Sequence, residues 1–246
     1  MDLGIKGKTA IVTGGSAGLG YACAQALAAE GAEVVLAARD PKRLAVAADQ
    51  IESLTGARPR VISADVSTSD GRNAILQECP SADILITNAG GPAPRDFREL
   101  SVEDWIEALN ANFIASVELI RMYLDGMTAS GWGRIVNITS VSARMPLERL
   151  DRSTAARLAL SGYVAGVARQ VADKGVTINN LLPGVFDTER ARTVGATDAL
   201  AQRAPIKRAG KPPEFGATCA FLCSEHASYI TAQNILVDGG LACVTL

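Results

Sequence analysis

Residues 9–20 read Thr-Ala-Ile-Val-Thr-Gly-Gly-Ser-Ala-Gly-Leu-Gly, an apolar run that meets a glycine-rich turn and passes directly into a helical pattern. Five residues are too few for a helix but enough for a buried strand, and the glycines mark where that strand ends. The same beat recurs along the chain. Strand patterns fall at 9–13, 33–38, 60–64, 84–87, 134–139, 177–182 and 235–237, with helical patterns at 18–30, 41–55, 69–78, 102–128, 152–174 and 213–224. Most of the strands are continuous apolar runs rather than alternating ones, as expected of parallel strands covered on both faces. Seven strands with helical crossovers predict an α/β fold, a doubly wound parallel sheet of the Rossmann type. The 246 residues suit a single domain, 1–246, since no repeat, low-complexity tract or linker divides them. The stretch 186–213 is the least regular; after a strand's carboxyl end, such a segment predicts a substrate lid.

Composition removes several function classes. Hydrophobic residues make up 48% and charged residues 20%, a globular balance. A net charge of −2 gives no basic field for nucleic acid. No apolar run approaches the ~20 residues of a membrane helix, and the opening Met-Asp-Leu-Gly-Ile-Lys lacks the apolar stretch of a secretory signal. An odd count of five Cys then predicts a reducing, cytoplasmic setting. Cys219 and Cys223 share one face of a helix; a metal pair is conceivable, but a buried apolar face is the better reading. With His226 as the single histidine, no zinc cluster is expected, and His226 itself reads as a surface or packing residue.

The turn from Thr13 to Gly20 follows a strand and opens a helix, the context in which a glycine fingerprint binds a dinucleotide. Gly14 and Gly18 permit backbone shapes that a Cβ would forbid and let a pyrophosphate reach the helix N-terminus. Gly20 permits the helix to pack closely on the sheet. Here the spacing T-G-x-x-x-G-x-G resembles the short-chain dehydrogenase/reductase family, including members of the 3-oxoacyl-acyl-carrier-protein reductase type, and further matches occur in order along the chain. Asp65 and Val66 stand where the family's Asp meets adenine, and Asn88-Ala89-Gly90 resembles its N-A-G. Asn112 is similar to its structural and proton-relay Asn. Asn179 with Pro183-Gly184 resembles the segment under the nicotinamide, Thr188 its amide-binding Thr, and Val237-Asp238-Gly239-Gly240 its last strand. The resemblance spans nearly the whole chain and implies an oxidoreductase that interconverts carbonyl and alcohol on a small molecule with NAD(P). By that resemblance Ser16 and Leu19 join the glycines, Asp65, Val66, the N-A-G segment, Pro183, Gly184 and Thr188 at the cofactor.

Cofactor choice turns on the end of the second strand, where an acidic residue in the family selects NAD. Ala38 and Arg39 stand there, and an Arg fork suits a 2′-phosphate, so NADP (NADPH) is expected to be preferred, with NAD possible. The bland alternative is Arg39 as a solvated loop charge. Asp40 reads as the cap of the helix beginning at Pro41.

The family's catalytic positions read differently. Ser140 closes Gly-Arg-Ile-Val-Asn-Ile-Thr-Ser and matches the family Ser, but the places of the family's Tyr and Lys hold Ser153 and Arg157, with no gap in register on either side. An aliphatic hydroxyl is a far weaker acid than a phenol of pKa ~10, while an Arg supplies charge and hydrogen bonds but cannot serve as a base. Tyr163, six residues beyond Arg157, points elsewhere. The charged stretch 144–152 reads either as a solvated loop with Asp151 as a helix cap, or as a polar pocket for an anionic substrate with Arg144, Glu148 or Arg149 near the reactive centre. Glu148 or Asp151 would then be a replacement acid/base. Two readings remain open: an oxidoreductase with non-standard acid/base groups, or a cofactor-binding homologue that transfers no hydride. The long helical patterns 102–128 and 152–174 resemble the family's dimer-forming pair. Small residues Ala155, Ala159, Gly162 and Gly166 permit close approach, so a homotetramer is expected.

Overall fold

The computed structural model describes residues 1–194 and 197–243. In chain order the elements are β1 (Thr9–Thr13), α1 (Gly18–Ala29), β2 (Glu33–Ala38), α2 (Pro41–Thr55), β3 (Arg60–Ser63), α3 (Ser69–Glu78), β4 (Ile84–Thr87), α4 (Val102–Leu109), α5 (Ala115–Ser130), β5 (Gly133–Ile138), α6 (Asp151–Val171), β6 (Val176–Pro183), α7 (Glu189–Val194), α8 (Thr197–Arg203), α9 (Pro212–Leu222) and β7 (Asn234–Val237). The strands form one parallel sheet in the order β3-β2-β1-β4-β5-β6-β7. Strand order reverses between β1 and β4, and in such sheets the ligand crevice opens at the carboxyl ends beside that reversal.

Successive residues of β1 feed opposite layers, as a strand's period of two requires. Ala10 and Val12 pack with Cys23, Leu27, Phe215 and Cys219 of α1 and α9. Ile11 faces the other way, into a core with Leu119 and Tyr123 of α5 and Leu160 and Val164 of α6. The thiols of Cys23, Cys219 and Cys223 are free and buried, which is the apolar reading of the Cys219/Cys223 pair. His226 lies at the surface, its Nε2 bonded to the carbonyl of Asp2 at 2.7 Å.

A polar ladder crosses this apolar sheet. Thr87 Oγ1 donates to Asn137 Oδ1 (2.6 Å), Asn137 Nδ2 to Asn180 Oδ1 (3.0 Å) and Asn180 Nδ2 to Asn234 Oδ1 (2.8 Å), joining β4, β5, β6 and β7 at paired positions.

Three expectations need correction. The helix over 102–128 is interrupted by a π turn at Asn110–Ile114, one residue wider than an α turn, which carries Asn112 inward. Asp151 does not cap α6; Leu150 occupies that place, because the chain enters through Arg149 in the left-handed region (φ 64°), leaving Asp151 as the first helical residue. Its charge still suits the positive end of the helix. The strand pattern 235–237 falls within β7, but of Val237-Asp238-Gly239-Gly240, matched to the family's last strand, only Val237 is in the strand, and Gly239 and Gly240 turn the chain away at φ 65° and 80°. Asp40 does cap α2, accepting from the N–H groups of Lys42 (2.9 Å) and Arg43 (3.1 Å). Within 186–213 the structure places α7 and α8, and a bridge between Phe186 and Gly210 closes the base of the segment; residues 195–196 lie outside the described part.

Candidate active site

The crevice is built from the carboxyl ends of β1, β4, β5 and β6. After β1 the chain turns through Gly14 (φ 59°) and Gly18 (φ 58°), conformations a side chain would strain. The turn is locked to the end of β4. Thr13 Oγ1 donates to the Asn88 carbonyl (2.9 Å) and accepts from its N–H (2.8 Å), and Asn88 Nδ2 reaches the Gly14 carbonyl at 3.4 Å. A Cβ at Gly20 would run into the Gly14 carbonyl and come within 2.8 Å of Asn88 Nδ2, so Gly20 seats α1 on the turn rather than on the sheet. Ala17 gives α1 no side-chain cap, leaving the first N–H groups of a 12-residue helix without a side-chain acceptor. Ser16 and Leu19 sit half-buried on the turn. These are the features of an anion cradle.

Thr188 faces the turn across the crevice, since a Cβ at Gly18 would lie 3.7 Å from its methyl; its hydroxyl accepts from Ala191 N at 3.2 Å and so starts α7. Pro183 ends β6, and Gly184 donates to the Val237 carbonyl (3.0 Å) while packing tightly on Asp238. Asn179 turns away from the crevice to hold the Ile230–Gln233 corner, through Nδ2 to the Ile230 carbonyl (2.7 Å) and Oδ1 from Gln233 N (3.1 Å).

At the outer end, Arg39 is exposed beyond β2 and linked to β3 through its carbonyl, which accepts from Ser63 Oγ (3.1 Å). Burial opposes ionisation of Asp65, but hydrogen bonds from the Ser67 hydroxyl (2.7 Å) and N–H (2.9 Å), with the charge of Arg39, hold its carboxyl below the usual range. Val66 beside it gives its carbonyl to Arg72 (2.8 Å).

At the inner end, α6 passes under the end of β5. Ser153 and Arg157, one helical turn apart, are both buried. Arg157 Nη1 donates to the Ile138 carbonyl (2.8 Å) and Nε to Ser153 Oγ (3.3 Å). Two residues past Ile138, Ser140 accepts from Ser142 N at 3.1 Å, leaving its hydroxyl proton free to donate. Burial, reinforced by the charge of Arg190, pushes the Arg157 guanidinium down to about 10, so it stays protonated at neutral pH. Asn112 donates to the Ala108 carbonyl (3.4 Å), while its buried Oδ1 has no partner among the described residues. Ala89 and Gly90 carry the chain from β4 to Gly91, which lies against Ser153, Arg157 and Arg190 together.

Arg144, Glu148 and Arg149 are exposed, and none of their side chains makes a described hydrogen bond to Ser140, Ser153 or Arg157. Asp151 is likewise exposed. Tyr163 packs edge-on against Phe113.

Sequence reasoning missed two groups. Asp104 closes a capping box with Ser101 and holds Arg95 (2.6 Å) and buried Arg152 (3.0 Å), whose Nη2 reaches the Ala93 carbonyl (3.1 Å); the Ser-x-x-Asp pattern at 101–104 was the available signal. The second group lies on α7. Glu189 meets Arg43 of α2 at 2.6 Å, and Arg190 bonds the carbonyls of Gly91 and Pro92, the latter at 3.2 Å. Only the proximity of Arg190 to Thr188 hinted at this.

Fold and crevice together define a doubly wound α/β protein whose candidate site lies at the carboxyl ends of its strands, from the end of β2 to α6. A family model described as enoyl-(acyl carrier protein) reductase matches residues 14–242. The acetoacetyl-CoA reductase of Cupriavidus necator is 32% identical over 245 residues, covering 95% of this chain and 98% of its own. A 3-oxoacyl-[acyl-carrier-protein] reductase of Vibrio cholerae is 32% identical over 97% of this chain and 99% of its own. The crystal structure of L-sorbose reductase from Gluconobacter frateurii, complexed with NADPH and L-sorbose, superposes with a TM-score of 0.93 at 32% identity, covering 99% of this chain and all of the other. The chain belongs to the short-chain dehydrogenase/reductase family, and its relatives are oxidoreductases.

Proposed function

We propose that the protein is an NADPH-dependent carbonyl reductase in which Ser153 and Arg157 stand in for the family's Tyr and Lys. One observation carries this reading: Arg157 is buried at the carboxyl end of β5, bonded to Ser153 and to the Ile138 carbonyl two residues from Ser140. The crevice suits the dinucleotide: the uncapped α1 N-terminus, on a turn shaped by Gly14 and Gly18 and seated by Gly20, would hold its diphosphate, with Asn88, Ala89, Gly90, Pro183, Gly184 and Thr188 along it, and Asp65, Val66 and Arg39 at the adenosine end. Arg39 then favours the phosphorylated form, in keeping with the NADPH held by the sorbose reductase.

When bound, the reduced dinucleotide supplies the hydride. The rest of the chemistry belongs to the chain. Ser140 and Ser153 donate hydrogen bonds to the carbonyl oxygen and hold it in place. Arg157 supplies positive potential as charge develops on that oxygen, and would offer donors to the ribose of a bound nicotinamide. The carbonyl carbon gains the hydride and its oxygen gains one proton, giving the alcohol. Serine is a poor acid, so that proton comes from water relayed through Ser153. The unpartnered Oδ1 of Asn112, in the π turn packed on α6, is a place to hold such a water.

The test is single-turnover absorbance at the reduced-nicotinamide band with acetoacetyl-CoA, a 3-oxoacyl thioester and L-sorbose. Turnover of one of them, lost in Arg157→Met, is the expected result. Tight NADPH binding with no oxidation by any carbonyl would sink it. A homotetramer is proposed alongside: Ala155, Gly162 and Gly166 line an exposed face of α6 next to exposed Leu158, with Val102 and Ile106 exposed on α4. A monomer by sedimentation at micromolar concentration would refute it.

A further inference from the structure

The chain from Ala89 to Pro94, which leaves β4 and passes Ser153, cannot brace itself. Pro92 and Pro94 have no N–H to give, and among the described residues no hydrogen bond runs within this stretch. Its backbone hangs from two guanidinium groups. Arg190 holds the carbonyls of Gly91 and Pro92, and Arg152 Nη2 holds that of Ala93 at 3.1 Å. Arg190 is exposed and belongs to α7, whereas Arg152 is only 5% exposed and is the residue before Ser153 on α6.

Arg152 is itself aimed. Its Nη1 donates to Asp104 Oδ1 at 3.0 Å, while Oδ2 of the same carboxylate accepts from Ser101 N (3.0 Å) and Arg95 Nη1 (2.6 Å). The Arg95 N–H then donates to the Arg149 carbonyl at 3.0 Å, so the far end of the loop meets the entrance to α6 a second time. One buried guanidinium thus ties α4, α6 and the loop after β4 at a point one residue from Ser153. A buried charge is tolerated only where its partners are in place, and a two-nitrogen fork fixes their mutual direction as well. We propose that Arg152, aimed by Asp104, is a positioning residue for the hydride step, setting the separation between Ser153 and the loop after β4. The proposal rests on the reductase reading, in which the carbonyl oxygen meets Ser153 while the nicotinamide ribose would lie beside Arg157 and Gly91. Arg152 joins the helix that carries the hydroxyl to the loop that borders the ribose. The tie matters more for a serine than for a longer side chain, because Ser153 has no length with which to follow a carbonyl that drifts. Cofactor affinity is a separate matter, set mainly by the diphosphate and adenosine ends, away from Arg152.

Arg152→Lys keeps a cation beside Asp104 but loses the fork that also reaches Ala93; far-UV circular dichroism checks its fold. At saturating NADPH and ketone its single-turnover rate should fall roughly ten- to a hundredfold, the scale of a misplacement of about 1 Å, with a larger isotope effect from NADPH deuterated at the transferred position. NADPH affinity by fluorescence titration and KM for the ketone should move less than about twofold, well below the effect of one lost charged contact. Ile51→Val, a core trim at the far end of α2, should lower the melting temperature and leave the rate alone. A rate loss in Arg152→Lys no larger than in Ile51→Val, or a loss that falls on NADPH affinity or KM instead, overturns the proposal. A second readout needs no cofactor: exchange of the Arg95 amide, followed by NMR in the unliganded protein, should quicken roughly tenfold or more in Arg152→Lys and hold in Ile51→Val. Unchanged exchange overturns the proposal whatever the rate does. Faster exchange with an undiminished rate removes the role in hydride transfer while leaving the reductase reading intact. Faster exchange in Arg152→Lys, with a wild type that oxidises NADPH with no carbonyl, refutes that reading and the role together.

Discussion

The double change Ser153→Tyr with Arg157→Lys tests the chemistry most directly. Arg157 uses two donors at once, Nη1 on the Ile138 carbonyl at 2.8 Å and Nε on Ser153 at 3.3 Å. A lysine carries three protons but on one nitrogen at the end of a flexible stem, so Arg157→Lys alone loses the fork that spans the two acceptors, and giving up one of them costs about 1.5–3 kcal/mol for a charged hydrogen bond. Ser153→Tyr alone pushes a phenol into a guanidinium that already fills the space between Ser153 and β5. Made together, the changed cation vacates room for the ring beside Gly91, which carries no side chain of its own. A phenol beside an ammonium is also a competent general acid, and a positioned acid is worth typically ~10²–10⁴ in rate. Wild type should therefore reduce simple ketones and 3-oxoacyl thioesters weakly, each single variant should gain little, and the double variant about a hundredfold or more, since the two groups act as a unit. The assay is NADPH consumption by all four proteins on one ketone panel. Wild-type turnover within the ordinary enzyme range of about 1–10³ s⁻¹ would refute the reasoning. So would a double variant that binds NADPH and stays inert.

Arg39→Ala should weaken NADPH roughly tenfold or more while leaving NADH unchanged, as one charged contact would; equal losses by calorimetry would remove Arg39 from cofactor choice. Gly20→Ala should lower the melting temperature and abolish dinucleotide binding, because its Cβ meets backbone at Gly14 and overpacking costs about 1–3 kcal/mol. Gly126→Ala in α5, whose Cβ meets nothing within 4 Å, should instead stabilise by about 0.5–1 kcal/mol. Glu214 is held down to about 2, first by the Arg208 fork at 2.7 and 2.9 Å and then by the Lys211 N–H. A depressed carboxyl stabilises the fold above its unfolded pKa and ceases to as pH falls through the folded one. Thermal melts should thus show wild type above Glu214→Gln at neutral pH, the gap closing between about pH 4.5 and 2; a gap that persists at pH 2 would refute this.

The sheet was legible because its determinants are local and periodic. Continuous apolar runs of four to eight residues fix parallel strands, and each strand pattern overlaps an observed strand. The glycine turn could be read because Gly14, Gly18 and Gly20 each answer a steric demand within a few residues. The break in the helix around Asn112 could not, since apolar spacing there is compatible with an unbroken helix; what decides it is the packing of that turn against α4 and α6. Asp151 misled for a related reason: its residue type suits a cap, but Arg149 sets where the helix begins. The convergence of Arg190 with Arg157 depends on a segment 33 residues further along the chain folding back over Gly91, and no spacing in the sequence encodes that.

The hydrogen-bonded row Thr87–Asn137–Asn180–Asn234 also bears on how the sheet assembles. Aliphatic strands are interchangeable by small shifts, because one Val or Ile meets another about as well. Amides are not: sliding any of these strands past its neighbour would set a buried amide opposite a hydrocarbon and forfeit about 1–3 kcal/mol for each polar group left unpaired. The row thus works as an alignment mark during folding, penalising near-native pairings that the apolar residues alone would tolerate. Because β4, β5 and β6 deliver Asn88, Ser140 and Pro183 within a few residues of that mark, the precision of the cleft is set inside the sheet rather than by the loops that border it.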